Sequence, residues 1–347
     1  MSRLGIFVLI LLTVLVGSNC SYYHQIIARK NLVDGSKAYK DRKFQEAEDL
    51  FRYAASLDPN GETLEGRTAQ LSLARTLHSE YIGNRSDVGK AEEALNEYRK
   101  SLPQSLKDLS ESKAALDKNP NGQDEQRKYL AALSSVNSTA SAIASLNENL
   151  GRPDKAKEWQ TQVANDPQYP ETARARALSS LGARFNTCAN DITDTEQTKK
   201  TVKKDGKDVF EFVKPANPDD LAKLKDCVDQ GTKLIDQAVA LEPDLVKNAA
   251  NIDVKGLSDA QLGIDSEILK IFESTRSYKA SLLIQAMRLA EMEGRIPDRD
   301  RLKDEAEAAR AKFSELSDVT KKIQAEMDAR AAAKEEAEKG ANANANK

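Results

Sequence analysis

The side chains with the widest chemical reach are few: three cysteines (Cys20, Cys188, Cys227) and two histidines (His24, His78) among 347 residues. Thiols in such numbers serve as a disulfide, an attachment point or metal ligands, and a structural metal needs about four ligands. No second ligand pair accompanies Cys188 and Cys227, so no metal is expected. The histidines form neither a Ser-His-Asp order nor a helical His-Glu-x-x-His pattern, which leaves nucleophilic and zinc-dependent hydrolysis without support. Carboxylate pairs do occur on helical stretches, as they must with 55 acidic residues, but none sits in a catalytic motif. The expectation is a chain that is not an enzyme and holds no cofactor. Trp159, the single tryptophan, reads as a packing residue rather than a ligand platform.

The elements that carry these residues are read as helices. Charged residues make up 31% of the chain and aromatics only 5%, a balance suited to charged helical arrays rather than to a sandwich or barrel. A net charge of −3 includes no basic excess to recruit nucleic acid and no acidic block. Lysine runs such as Lys199-Lys200 and Lys321-Lys322 read as solvated surface.

The sharpest pattern is Gly35-Ser-Lys-Ala-Tyr-Lys-Asp-Arg-Lys-Phe-Gln-Glu-Ala47-Glu-Asp-Leu-Phe51-Arg-Tyr-Ala54-Ala-Ser-Leu-Asp-Pro59. Small residues at 35, 47 and 54 allow two antiparallel helices to approach, Phe51 fills the space between them, and Pro59 follows the second helix. This segment resembles a tetratricopeptide (TPR) repeat. One such hairpin cannot bury its apolar face alone, so further copies are expected. They are read at 29–60, 65–103, 125–168, 173–243 and 265–318. The third copy is carried by Leu150-Gly151 and Ala156. The fourth is carried by Leu178, Leu181, Gly182 and Phe185 in its first helix and by Gly231, Ile235, Ala238 and Pro243 after it. The resemblance implies an all-α fold, a right-handed solenoid of helical hairpins over 29–318. A charged helix and a disordered tail are expected over 319–347.

The fourth copy is interrupted over 189–226. Thr201-Val-Lys-Lys-Asp205-Gly206-Lys-Asp-Val-Phe-Glu-Phe-Val213 alternates about an Asp-Gly turn, the local signal of a β-hairpin. Aligning the two halves of this copy with a TPR hairpin implies that Cys188 and Cys227 adjoin. A Cys188–Cys227 disulfide would then tie off the insertion, closing a loop of about 40 residues.

The TPR resemblance also implies a concave surface lined by the first helix of each pair and suited to extended peptides. By matching spacing its lining includes Leu32, Ser36, Tyr39 and Lys40, then Arg75 and His78, then Glu148, and finally Arg176 and Asn186. The basic and asparagine pattern with which chaperone adaptors clamp a terminal carboxylate is absent, because Leu32 and Ser36 occupy its first places.

At the N-terminus, Arg3 precedes an apolar run from Leu4 to Val16, and Gly17-Ser18-Asn19-Cys20 follows. This is the layout of an export signal. The position of Cys20 resembles the lipid-attachment cysteine of bacterial lipoproteins. Asn19 and Gly17 depart from the residues usual there, so an uncleaved anchor and cleavage after Ser18 stay open. Together with Tyr22-Tyr23 and Ala28-Arg29-Lys-Asn-Leu32, the region resembles acidobacterial-type TPR lipoproteins. That resemblance implies a membrane-tethered chain facing the periplasm, with 1–19 as signal or anchor and 20–28 as tether. It also implies a scaffold role toward other envelope proteins or peptides; the alternative is a spacer that self-associates through its charged C-terminal helix.

Overall fold

The computed structural model describes residues 3–345, with side chains for 22–337 and 339. The expected export segment (1–19) and lipidation site Cys20 fall outside the described side chains. Among the described residues no helix is long and apolar enough to cross a membrane. The chain is all-α, built of helical hairpins with one small antiparallel β insertion. It divides into two compact units, Met1–Ser110 with Ser138–Ala156, and Glu111–Asn137 with Lys157–Lys347.

In the first unit, α1 (Arg3–Lys40) and α2 (Phe44–Ser56) form a hairpin, and both pack against α3 (Leu64–Gly83). The contact is close because glycine and alanine line it. A Cβ on Gly35 would lie 2.7 Å from Phe51 Cε1, while Ala47 and Ala54 are fully buried. Pro59 lies in the exposed loop after α2, and its carbonyl accepts from Gln70 Nε2 at 2.9 Å. The same loop starts α3: Asp58 accepts from the Thr63 backbone N–H at 2.7 Å, and the Thr63 hydroxyl caps the helix by accepting from Gly66 N–H at 3.0 Å. The next helix, α4 (Val88–Lys118), adds buried Ala91, Ala94, Leu95 and Tyr98.

Charge ties these helices together. Buried Glu48 on α2 accepts from Arg52 at 2.6 Å and from Lys90 on α4, and Lys90 also reaches Glu80 on α3 at 2.8 Å. Burial raises the Glu48 carboxyl, yet the hydrogen bonds from Arg52 and Lys90 outweigh it and hold Glu48 below the usual range.

The helices α5 (Gln123–Asn149) and α6 (Pro153–Asn165) contribute residues to both units, with Ala156 fully buried at the first turn of α6. In the second unit, α7 (Glu171–Thr193) and α8 (Pro218–Ala240) form a hairpin. A Cβ on Gly182 would lie 2.8 Å from Ile235 Cδ1, and one on Gly231 would lie 3.0 Å from Phe185 Cβ. Leu178, Leu181, Ile235 and Ala238 are buried in this hairpin, and Pro243 precedes the single turn α9 (Asp244–Lys247). The long helices α10 (Asp259–Met292) and α11 (Ile296–Ala345) pack along each other and complete the unit.

Between α7 and α8, β1 (Lys199–Lys204) pairs antiparallel with β2 (Lys207–Phe212), Lys204 opposite Lys207. Asp205 and Gly206 turn the chain with φ of 51° and 76°, the left-handed pair that a two-residue hairpin requires. Of the expected insertion 189–226, the part outside the two helices is 194–217, because α7 runs on to Thr193 and α8 begins at Pro218. The reason is apolar: Ala189 and Leu224 sit in one cluster with Phe212, Leu289 and Met292, so both helix ends are worth ordering.

Other boundaries also move. Residues 20–28 belong to α1 rather than to a separate tether, and Ala28 is buried. The last hairpin begins at Asp259, capped by the Ser258 hydroxyl, rather than at 265. Its second helix runs without a break into the charged helix expected from 319, and helix continues to Ala345 where a disordered tail was expected. Val319 and Ile323 extend the buried stripe of Leu316, and Arg330 donates to the Leu257 carbonyl and to Asp259, both at 2.9 Å.

Three hairpin turns share one pair of backbone hydrogen bonds. Arg42 N–H donates to Tyr39 O and Lys43 N–H to Ala38 O; Gly151 and Arg152 repeat this on Glu148 and Asn147, and Gly294 and Arg295 on Glu291 and Ala290. This Schellman closure places its left-handed residue where glycine is favoured. Gly151 and Gly294 obey, with φ of 69° and 75°, but Arg42 takes φ 59° with a full side chain, at a strain of about 1 kcal/mol.

Candidate functional site

The residues expected to line a groove separate when folded. Tyr39 and Lys40 from α1 and Arg75 and His78 from α3 line one cleft of about 660 Å3 in the first unit. Leu32 does not face it. With Gly35 and Ala38, Leu32 belongs to the buried face of α1, since residues three apart share a face. Ser36 is exposed on the same helix but outside the cleft. Glu148 is exposed near the end of α5, while Arg176 and Asn186 are half-buried on α7 in the second unit. One buried atom there, Asn186 Oδ1, has no hydrogen-bond partner among the described residues.

The cleft also takes residues that helix spacing did not indicate. Arg42 comes from the turn between α1 and α2, Phe44 from the start of α2, Ser79 and Ile82 from α3, and Tyr98 from α4. Tyr98 lies on α4 rather than on the first helix of a pair, and the others fall outside the first-helix spacing. The one sequence signal was a missing glycine at position 42.

Two edge-on aromatic pairs wall the cleft: Tyr39 with Phe44 at 5.4 Å and His78 with Tyr98 at 6.1 Å between ring centres. The Tyr39 hydroxyl is 2.8 Å from Ser79 Oγ, and Arg75 donates to Ser138 Oγ at 3.0 Å. Burial, with the nearby charge of Arg85, holds His78 below the usual histidine value, so the ring is neutral at pH 7. Burial likewise raises the Tyr98 phenol, which stays protonated. No carboxylate lines the cleft, and the side chains of Lys40, Arg42 and Arg75 form no ion pair among the described residues.

In the second unit, the Cys188 and Cys227 sulfurs lie at disulfide distance, with Cα atoms 6.1 Å apart. The pair joins α7 to α8 inside their hairpin, beside the cluster that holds Phe212 of the insertion. Trp159 stands edge-on to Tyr169 at 6.2 Å. Among the described residues no group of three His, Cys, Asp or Glu side chains could hold a metal ion. No family model matches this chain, and no curated protein matches it.

Proposed function

We propose that this chain is a non-enzymatic, TPR-like scaffold that receives a partner protein or peptide in the cleft of α1, α3 and α4. The observation that carries this reading is the convergence of Tyr39, Arg75 and His78 on one open cleft whose cations form no ion pair among the described residues. An accessible, concave surface walled by aromatic rings and fringed by arginine has the composition of a recognition site. On this reading the scaffold belongs at the membrane of a bacterial cell envelope, facing the periplasm, and the N-terminal apolar run and Cys20 of the sequence support that setting. The lipid or uncleaved anchor then serves as tether.

The competing reading, a spacer that self-associates through its charged C-terminal helix, has less to stand on. Arg330 and Lys334 of that helix are engaged by Asp259 of the same chain. Capture of partners from envelope extract by the full-length protein and by Tyr39→Ala tests the proposal. The wild type is expected to retain a defined partner that the variant loses at unchanged helicity. Equal capture by both would refute the cleft as the binding site.

A further inference from the structure

Arg42 is an anomaly with a direction. At the two turns with the same hydrogen bonding, glycine supplies the left-handed residue; here the chain tolerates strain and keeps a guanidinium at the cleft. Backbone strain that glycine would relieve persists where the side chain has a use. Lys40 and Arg75 line the same cleft, neither is offset by a carboxylate among the described residues, and the lining contains no acid. Elsewhere in this chain arginines and lysines are commonly paired, as Arg276 is with Glu242 and Arg52 with Glu48 and Glu93.

The neutral polar groups are already engaged. The Tyr39 and Ser79 hydroxyls bond each other, and the Tyr98 hydroxyl lies 3.5 Å from His78 Nδ1. What remains for a ligand is positive charge and aromatic or aliphatic surface. A glycan would need free hydroxyl-directed partners. A chain of carboxylates alternating with apolar side chains would use both features that are present.

We propose that the cleft takes an extended acidic peptide, with carboxylates on Lys40, Arg42 and Arg75 and apolar side chains against the Tyr39–Phe44 and His78–Tyr98 ring pairs. This rests on the groove reading and adds the chemistry of the occupant. Arg42 then acts as a specificity residue, held at the expense of local backbone ease.

The test is fluorescence anisotropy on the full-length protein in detergent. The probe is a labelled dodecapeptide alternating Glu with Leu and Phe; the same peptide with Gln for every Glu is the control. The acidic peptide is expected to bind at least about tenfold more tightly than the Gln peptide and to weaken as salt rises. Arg42→Gly and Arg75→Ala should each weaken it about tenfold. Arg42→Gly should at the same time raise Tm, which separates lost recognition from lost folding.

Equal binding of the two peptides, or no binding of the acidic one, would overturn the acidic-peptide assignment. So would a Tm that falls in Arg42→Gly. Binding of inorganic polyphosphate or phosphatidylglycerol vesicles in place of the peptide would overturn it in favour of a phosphate ligand. The groove reading fails separately, if Tyr39→Ala captures envelope partners as well as the wild type does.

Discussion

The Phe51 ring occupies the space that a side chain at Gly35 would need: a Cβ there would lie 2.7 Å from Cε1 and 3.0 Å from Cδ1. Gly35→Ala must therefore push α1 from α2 or rotate the ring. A loss of about 1–3 kcal/mol is expected in urea unfolding. Gly83→Ala, where no atom lies within 4 Å of the added Cβ, is the control and should be close to neutral. Equal losses in both would mean that helix approach is not limited by Gly35.

Such pairs were legible before folding. Gly182, Phe185, Gly231 and Ile235 stood out as small and large residues at repeat intervals; in the fold Gly182 meets Ile235 and Gly231 meets Phe185 across α7 and α8. Asp205-Gly206 announced its hairpin because only a few dipeptides accept two left-handed residues. The cleft was legible only in part. Spacing on the first helices indicated Tyr39, Arg75 and His78, but Arg42 enters from a turn, Phe44 from the start of α2 and Tyr98 from α4. No period in one helix reports what its neighbour contributes. The packing of the C-terminal helix was hidden for a related reason: Val319 and Ile323 look isolated in a charged run and gain meaning only beside α10 and the short turns before it.

The Cys188–Cys227 pair spans a sequence separation of 39. By loop-closure entropy it contributes up to about 4 kcal/mol. Cys188→Ser with Cys227→Ser should lower the unfolding midpoint, and dithiothreitol should reproduce that shift in the wild type alone. A reductant effect of equal size in the double variant would assign the stability elsewhere.

Burial pushes the Asp265 carboxyl up to about 6, and Gln261 donates to it at 2.6 Å. Since this value exceeds that of the unfolded chain, the folded state binds more protons between about pH 4 and 6. The contribution of Asp265 to stability is therefore fully present below about pH 4, declines up to about pH 6 and is flat above it. Asp265→Asn should stabilise the protein at pH 7 by about 1–3 kcal/mol and much less at pH 4. Urea titrations at the two pH values check this, and a pH-independent difference would contradict it.

Arg276 donates through Nε and Nη2 to the two carboxylate oxygens of Glu242 at 2.6 and 2.5 Å, and Glu242 is only 5% exposed. Arg276→Ala leaves that carboxylate buried without its cation, for an expected loss of about 3–5 kcal/mol. Arg276→Met with Glu242→Leu should recover most of it. Failure of the double variant to recover would show that the ion pair does more than satisfy itself.

Removing 319–347 takes away the buried side chains of Val319 and Ile323 and the Arg330 contacts to the segment before α10. Destabilisation on the order of 3 kcal/mol is expected, with no change in sedimentation coefficient beyond that of the lost mass. Dissociation of an oligomer on truncation would instead favour the self-association reading.

The bond between α7 and α8 also sets the route of mechanical load. A pull on the two ends of the chain passes from Cys188 directly to Cys227, and the β-hairpin between them lies off that line. Roughly 130 Å of extended contour, 39 residues at about 3.4 Å each, stays slack until the sulfur bond is reduced. Under tension this fold would therefore lengthen in two redox-dependent regimes, with the hairpin and its lysines kept folded in the first.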